Sequence, residues 1–329
     1  MNSFGRLFRI SIFGESHGKS VGITIDGCPA GLPVSAEDFA TDLGRRKSGA
    51  KGTTPRTEAD EPHFISGVFQ GKTTGSPLTI LFENTNIKPK DYSNLKEQAR
   101  PGHADFVAQQ KFGGYGDYSG GGHFSGRLTV ALVAAGVIAK KIISPIKVEA
   151  KILEVGGRKD ISAAIDEAVA NKDSIGGLIE CTTTEMPIGL GEPFFDAVES
   201  LISHIIFAIP ATKGIEFGSG FAAARMKGSE HNDLIISADG LTKTNHAAGI
   251  NGGISNGNDL VFRVAVKPTS SIGLTQNTFD FANDAVEELK VEGRHDACIA
   301  LRIPPVIEAA TAIVLADLML IEQKVKRVF

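Results

Sequence analysis

Residues 306–326 limit the possible folds more than any other stretch of the chain. They open after Pro304-Pro305, run Val-Ile-Glu-Ala-Ala-Thr-Ala-Ile-Val-Leu-Ala-Asp-Leu-Met-Leu-Ile from Val306 to Ile321, and end in Lys324-Val-Lys-Arg327. Read as a helix, the segment is apolar round most of its circumference, and its basic end suits the negative pole of a helix dipole. A helix without a polar face must be covered on every side, so it belongs between layers of other structure. Residues 128–143 have the same character. Charges interrupt both segments, at Lys140 and Lys141 or at Glu308 and Asp317, and both fall short of the ~20 apolar residues a membrane span needs. Two core helices are expected, and no membrane partner.

Around them lie strand-like runs at 7–12, 21–25, 78–83, 148–155, 178–184 and 260–266, rich in β-branched residues and bounded by Gly, Pro, Asn or Asp. Ser35 with Asp38 forms a capping-box start for a helix reaching about Arg45, and amphipathic helices are expected over 162–172 and 194–208. Strands and helices mixed without strict βαβ alternation argue for an α+β fold rather than a doubly wound parallel sheet. No linker or low-complexity tract divides the 329 residues, so a single domain over 1–329 is expected. The loops 45–61 and 84–126 are long and Gly-rich, and loops of that kind in a compact domain usually carry function.

Charge and cysteine usage narrow the partners. The chain has 34 Lys and Arg against 38 Asp and Glu, a net charge of −4, and no basic run interleaved with aromatics. Nucleic acid is not expected as a partner. Cys28, Cys181 and Cys298 are odd in number, far apart and without a CxxC pair, which suggests neither a disulfide framework nor a thiolate metal site and fits a reducing cytosol. The opening Met-Asn-Ser-Phe-Gly-Arg has no basic segment followed by an apolar run, so a cytoplasmic location is expected.

The chemistry-bearing residues sit in glycine-bounded clusters: Gly14-Glu-Ser-His-Gly18, Arg100-Pro-Gly-His-Ala-Asp105, Gly120-Gly-Gly-His-Phe-Ser-Gly-Arg127, Lys267-Pro-Thr-Ser-Ser271 and Gly293-Arg-His-Asp296. Arg46, Lys51, Arg56, Arg100, Arg127 and Arg294 all lie in or beside Gly-rich turns of an acidic protein. Local positive charge of this kind points to an anionic small molecule, although any one of these residues could be a solvated surface cation. His103 beside Arg100 is a proton donor placed where an anion would bind, and His17 also lies beside glycines that let backbone approach a ligand. Either could equally be a structural histidine. Asp296 reads as a general base or an ion-pair partner, and Lys267-Pro-Thr-Ser-Ser271 as a phosphate or ring-edge site or a strand-ending turn. The Gly120–Gly122 run lacks a Walker or dinucleotide fingerprint, and HxxxH is absent, so metal chemistry is poorly supported; a Ser-His-Asp hydrolase, with Ser16 directly beside His17, is also a weak reading.

In this order, Phe13-Gly-Glu-Ser-His-Gly18, Ser66-Gly-Val-Phe-Gln-Gly-Lys-Thr-Thr-Gly75, Arg100-Pro-Gly-His-Ala-Asp105, Ala134-Ala-Gly-Val-Ile-Ala-Lys-Lys141, Gly252-Gly-Ile-Ser-Asn-Gly257, Lys267-Pro-Thr-Ser-Ser271 and Gly293-Arg-His-Asp296 resemble the chorismate synthase family, over about Phe4 to Leu320. The resemblance implies anti-1,4-elimination of phosphate from 5-enolpyruvylshikimate 3-phosphate. It implies reduced FMN that is not consumed, with NADPH as a reductant only. It further implies a sandwich of antiparallel or mixed sheets around buried helices, assembled as a homotetramer.

By the same resemblance His17 lies near the reduced flavin, His103 protonates the leaving phosphate and Asp296 handles the proton exchanged at flavin N5. Arg46, Lys51, Arg100, Arg127 and Arg294 would hold the substrate. His123, Phe124, Ser125, Ala211, Gly252, Lys267, Pro268, Thr269, Ser270, Ser271 and Arg294 would line the FMN site. Three departures stand out: Lys51 in a shortened basic loop, His123-Phe124 in place of an Arg-Ser pair, and Pro210 in place of an Asn. The rival readings are a non-catalytic flavin-binding protein and a flavin oxidoreductase with net hydride transfer, for which the chain lacks a dinucleotide fingerprint.

Overall fold

The computed structural model describes residues 2–87, 95, 97–291 and 295–323. Two sheets form its outer layers. The first has five strands in the order Ser3–Phe4, Arg9–Gly14, Ser20–Asp26, Leu78–Glu83, His63–Ser66. The second has four, in the order Thr212–Phe217, Leu260–Val266, Gly177–Thr184, Lys147–Val155. Every neighbouring pair in both sheets is antiparallel. Strict alternation places one face inward: in Leu78–Glu83 the side chains of Leu78, Ile80 and Phe82 are buried.

Helix Thr129–Ile142 packs on the first sheet, helix Pro304–Ile321 on the second, and the two helices pack on each other. The sandwich expected for an α+β chain with fully apolar helices is therefore present, with the helix pair as its filling. Their approach is close because Gly136 has no side chain: a Cβ there would stand 2.2 Å from the Cβ of Ala309. Every residue from Pro304 to Met319 is buried. By length and composition this helix could cross a membrane, yet its surroundings are the protein's own layers.

The two carboxylates that interrupt its apolar run tie those layers together. Glu308 accepts from Nη1 and Nη2 of Arg45 at 2.8 and 2.7 Å, from Lys140 Nζ at 2.9 Å and from the Ala150 N–H at 2.9 Å. Asp317 accepts the backbone N–H groups of Arg6, Leu7 and Phe8 at 2.9, 2.7 and 2.8 Å. Buried charge is tolerated only when satisfied in this way. The second clamp also explains a boundary: a strand expected over 7–12 starts at Arg9, because the donors of residues 6–8 are spent on Asp317. Helix 162–172 appears as Ile161–Ala170 and stops before Lys172, whose φ is 55°. The basic end Lys324-Val-Lys-Arg327 lies outside the described residues.

Within the long 84–126 stretch stands an unexpected helix, Asp105–Phe112. None of its residues is buried, so it carries no apolar stripe from which periodicity could reveal it.

Candidate active site

A cavity of about 720 Å³ opens where loops from both sheets converge. Among the described residues eight Lys or Arg side chains and three Asp or Glu line it, although the chain as a whole carries −4. Apolar side chains, Phe4, Ile10, Ile12, Leu128, Leu132 and Ile299 among them, also line it. The volume is that of a site burying a drug-sized ligand.

The glycine run brings the two key histidines together. Gly120, Gly121 and Gly122 have φ of 60°, 87° and 51°, a backbone that side chains resist. A Cβ on Gly120 would lie 2.2 Å from His17 Cε1, and one on Gly121 would lie 3.2 Å from His103 Cε1. The run is thus a bed for two imidazoles rather than a phosphate loop. His17 is buried, and burial first, then the charge of Arg56, lowers its pKa and favours the neutral ring. Arg56 donates to Ser16 Oγ at 3.0 Å and to the Ser16 carbonyl at 2.9 Å, and pairs with Glu58 at 2.7 Å.

His103 sits on the Arg100–Asp105 turn. Arg100 donates from Nε and Nη2 to the two oxygens of Asp105 at 2.7 and 2.8 Å, and from Nη1 to Ser271 Oγ at 2.9 Å. From the other side Lys267 Nζ and Ser270 Oγ both donate to the Gly102 carbonyl, at 2.7 and 2.8 Å. Lys267-Pro-Thr-Ser-Ser271 is therefore the clamp on the turn that carries His103. Burial of Lys267, with Lys213 nearby, lowers its pKa.

Arg46 and Arg127 are buried side by side on one carboxylate, Asp60. Arg46 donates Nη1 to Asp60 at 3.4 Å, Nε to Thr129 Oγ1 at 2.9 Å, and Nη2 to the carbonyls of Gly126 and Arg127, both at 3.0 Å. Arg127 bonds Asp60 through Nη1 and donates Nε to Asn84 Oδ1 at 2.9 Å. Desolvation, with Arg302 the next cause, lowers the pKa of Arg46 to about 9. These guanidinium groups spend most of their donors on the protein, so they act on an anion through their charge more than through free bidentate forks. Asp296 is buried, accepts the Thr54 N–H at 3.0 Å and pairs both oxygens with Arg302 Nη1 at 3.3 Å. Arg302 in turn donates Nε to the Arg46 carbonyl at 3.0 Å.

Sequence reasoning missed Asp60 and Arg302 as partners of the site, and gave Asp105 no role. Only the loop 45–61, flagged as functional by its length, pointed toward Asp60.

Residues 8–320 match the sequence profile of chorismate synthase. A chorismate synthase from Chitinophaga pinensis is 63% identical over all of this chain and 99% of its own length. One from Methanocaldococcus jannaschii is 41% identical over 97% of this chain and 96% of its own. The chain belongs to the chorismate synthase family. A crystal structure of chorismate synthase superposes with a TM-score of 0.74 at 26% identity, covering 97% of this chain and 93% of the other. The function is that of chorismate synthase in the shikimate pathway, a carbon–oxygen lyase of aromatic amino-acid biosynthesis that acts on a small-molecule substrate.

Of the residues that the chorismate synthase resemblance marks, His17, His103, Asp296, Arg46, Arg100, Arg127, His123, Phe124, Ser125, Ala211 and Lys267–Ser271 all line the cavity. Ala211 does so with φ 74°, and its carbonyl accepts the Lys267 N–H at 2.9 Å. Lys51 and Gly252 are not among the lining residues. Lys51 pairs with Asp166 at 2.5 Å, and Gly252 is in the turn between strands Ile250–Asn251 and Ile254–Ser255. Arg294 lies outside the described residues.

His123, which stands where the family commonly has Arg, faces protein on both ring nitrogens: Nδ1 donates to the Gly14 carbonyl at 2.8 Å and Nε2 meets the Asn2 amide at 3.2 Å. Its ring ties the glycine run to the end of strand Arg9–Gly14. FMN titrations at pH 6 and pH 8 on wild type, His123→Arg and His123→Ala are therefore expected to give parallel pH profiles. A pH dependence that flattens in His123→Arg would make the imidazole a direct flavin ligand instead.

Proposed function

We propose that the cavity holds reduced FMN together with 5-enolpyruvylshikimate 3-phosphate and carries out anti-1,4-elimination of phosphate without net redox change, in one catalytic domain of residues 1–329. The observation that carries this reading is the eight-to-three excess of cationic over acidic side chains in a cavity that is also lined by apolar ones. A substrate with two carboxylates and a phosphate needs that charge, and a planar ring system needs apolar surface. The residues present fit the flavin. Phe124, Ser125, Ala211 and the Lys267–Ser271 segment would hold it, with His17 beside its ring and His123 fixing the glycine run behind them, and Arg294 would complete the set. Bound there, reduced FMN supplies transient electron density that no side chain offers.

Arg46, Arg100, Arg127 and Arg294 provide the field that retains the substrate's anionic groups. His103, held next to Arg100, gives a proton to the phosphate oxygen as the carbon–oxygen bond breaks, so that the leaving group departs with less charge. Asp296, fixed by Arg302 and the Thr54 N–H, receives the proton that the elimination releases. The proton count closes and no electrons are gained or lost overall. Lys51 would reach the substrate only by giving up Asp166, with which it forms an exposed and hence weak ion pair.

NADPH enters, in this reading, only to reduce the flavin. A homotetramer is the assembly this reading expects, and the exposed apolar side chains of Phe194, Phe195, Phe221, Ile235 and Ile236 are available for subunits to cover. Three buried free thiols support a cytoplasmic location. An anaerobic assay with dithionite-reduced FMN is expected to release phosphate and chorismate in equal amounts with the flavin still reduced at the end. Flavin oxidised in step with product would replace this reading by the oxidoreductase one. Binding of FMN with no turnover would replace it by the non-catalytic one.

A further inference from the structure

We infer that Asp105 is the positioning residue of the proton donor: its carboxylate holds His103 in the tautomer that carries a proton on Nδ1 and leaves Nε2 for the substrate. The inference rests on the assignment of His103 as the acid and names the group through which that acid is set. His103 Nδ1 lies 2.5 Å from Asp105 Oδ1, a separation at which two lone pairs repel unless a proton stands between them. Arg100 Nη2 donates to Asp105 Oδ1 at 2.8 Å and stands 3.1 Å from the same nitrogen, but no hydrogen of Arg100 lies between Nδ1 and Oδ1, so their 2.5 Å contact still requires a proton of its own.

Nor does Asp105 hold the proton. Burial opposes its charge, but hydrogen bonds from Arg100 and His103 outweigh burial and keep its carboxyl well below the usual carboxylate range. The proton is therefore on Nδ1. The half-buried ring has its other edge against Gly121, where a Cβ would stand 3.4 Å from Nε2. His103 lines the cavity whereas Asp105 does not. The carboxylate thus acts from behind, in contact with the histidine alone of the two reacting partners.

Asp105 is already committed to Arg100 through both oxygens, so the carboxylate is oriented before substrate arrives. The other charged or titratable groups around the imidazole are Arg100 on the same turn, Lys267 bonded to the Gly102 carbonyl, and His17, His295 and Asp296, which line the same cavity. Of these only Arg100 comes within hydrogen-bond distance of Nδ1, at 3.1 Å, longer than the 2.5 Å contact with Asp105.

The test is Asp105→Asn, which keeps shape but can donate an N–H to Nδ1 and so reverses the tautomer. With reduced FMN supplied, kcat is expected to fall about 10²-fold at pH 7.5, with KM within about threefold of wild type. In a His103→Ala background the same substitution should cost nothing further, since two residues acting as one unit are non-additive. Nitrogen chemical shifts of His103 should report a protonated Nδ1 in wild type and a reversed pattern in Asp105→Asn, independently of activity. Multiplying losses or an unprotonated Nδ1 in wild type would each overturn the inference. If His103→Ala itself turned over normally, the acid assignment would fail instead, and the two failures are told apart by that single variant.

Discussion

His103→Ala is expected to lower turnover by about 10²-fold or more, the usual cost of removing a general acid, while the FMN dissociation constant changes by less than about threefold. The geometry separates the two effects. Arg100 and Asp105 remain locked to each other through both carboxylate oxygens and to Ser271, and the Gly102 carbonyl stays clamped by Lys267 and Ser270, so the turn keeps its shape without the imidazole. The phosphate would then leave unprotonated. Steady-state phosphate release under anaerobic conditions, with FMN affinity from fluorescence and a melting curve on the same preparation, reads all three quantities. Near-normal turnover would remove His103 from the chemistry and leave it as a packing residue over Gly121.

The second large effect is on stability. Asp60→Asn is expected to cost about 3–5 kcal/mol, the range for removing one partner of a buried ion pair, because Arg46 and Arg127 are both buried on that one carboxylate. Asparagine isolates the charge: it matches the side chain in shape and tolerates the φ of 53° at this position. At about 2.1 cal/mol/K per residue of unfolding entropy, a chain of 329 residues should lose about 4–7 °C in Tm. Inorganic phosphate should recover part of that loss, since an anion near two unpaired guanidinium groups replaces the missing charge. An unchanged Tm in Asp60→Asn, measured by calorimetry, would mean that carbonyls and Asn84 alone satisfy the two arginines.

Both variants concern pairs whose members were unequally legible in the chain. His103 was visible because a short motif places it three residues after Arg100, and the local turn keeps such neighbours together. Asp60 was invisible as a partner: it meets Arg46 within its own loop but Arg127 only across 67 residues. Arg302 was invisible for the same reason, since nothing local to it indicates Asp296 on one side and the Arg46 carbonyl on the other. Helix Asp105–Phe112 escaped because a helix with no buried apolar stripe leaves no periodic trace. The departure at His123 was legible as a substitution, but its outcome was not, because the Gly14 carbonyl that accepts from it lies 109 residues away.

By itself the sequence determined the layering and the inventory of the site. A segment apolar on all sides has no stable place except between layers, and alternating strands supply the layers, so burial of the helix pair follows from hydrophobicity and periodicity alone. Glycine-bounded motifs likewise named most of the side chains that line the cavity, since each motif is local. Tertiary structure alone decided which charges meet. Hydrogen bonds act over about 3 Å and depend on direction, so whether a guanidinium faces a carboxylate, a carbonyl or open cavity is settled only when distant loops are packed. That packing turned the expected substrate forks of Arg46 and Arg127 into a buried cationic pair on Asp60, and placed Asp105 behind His103.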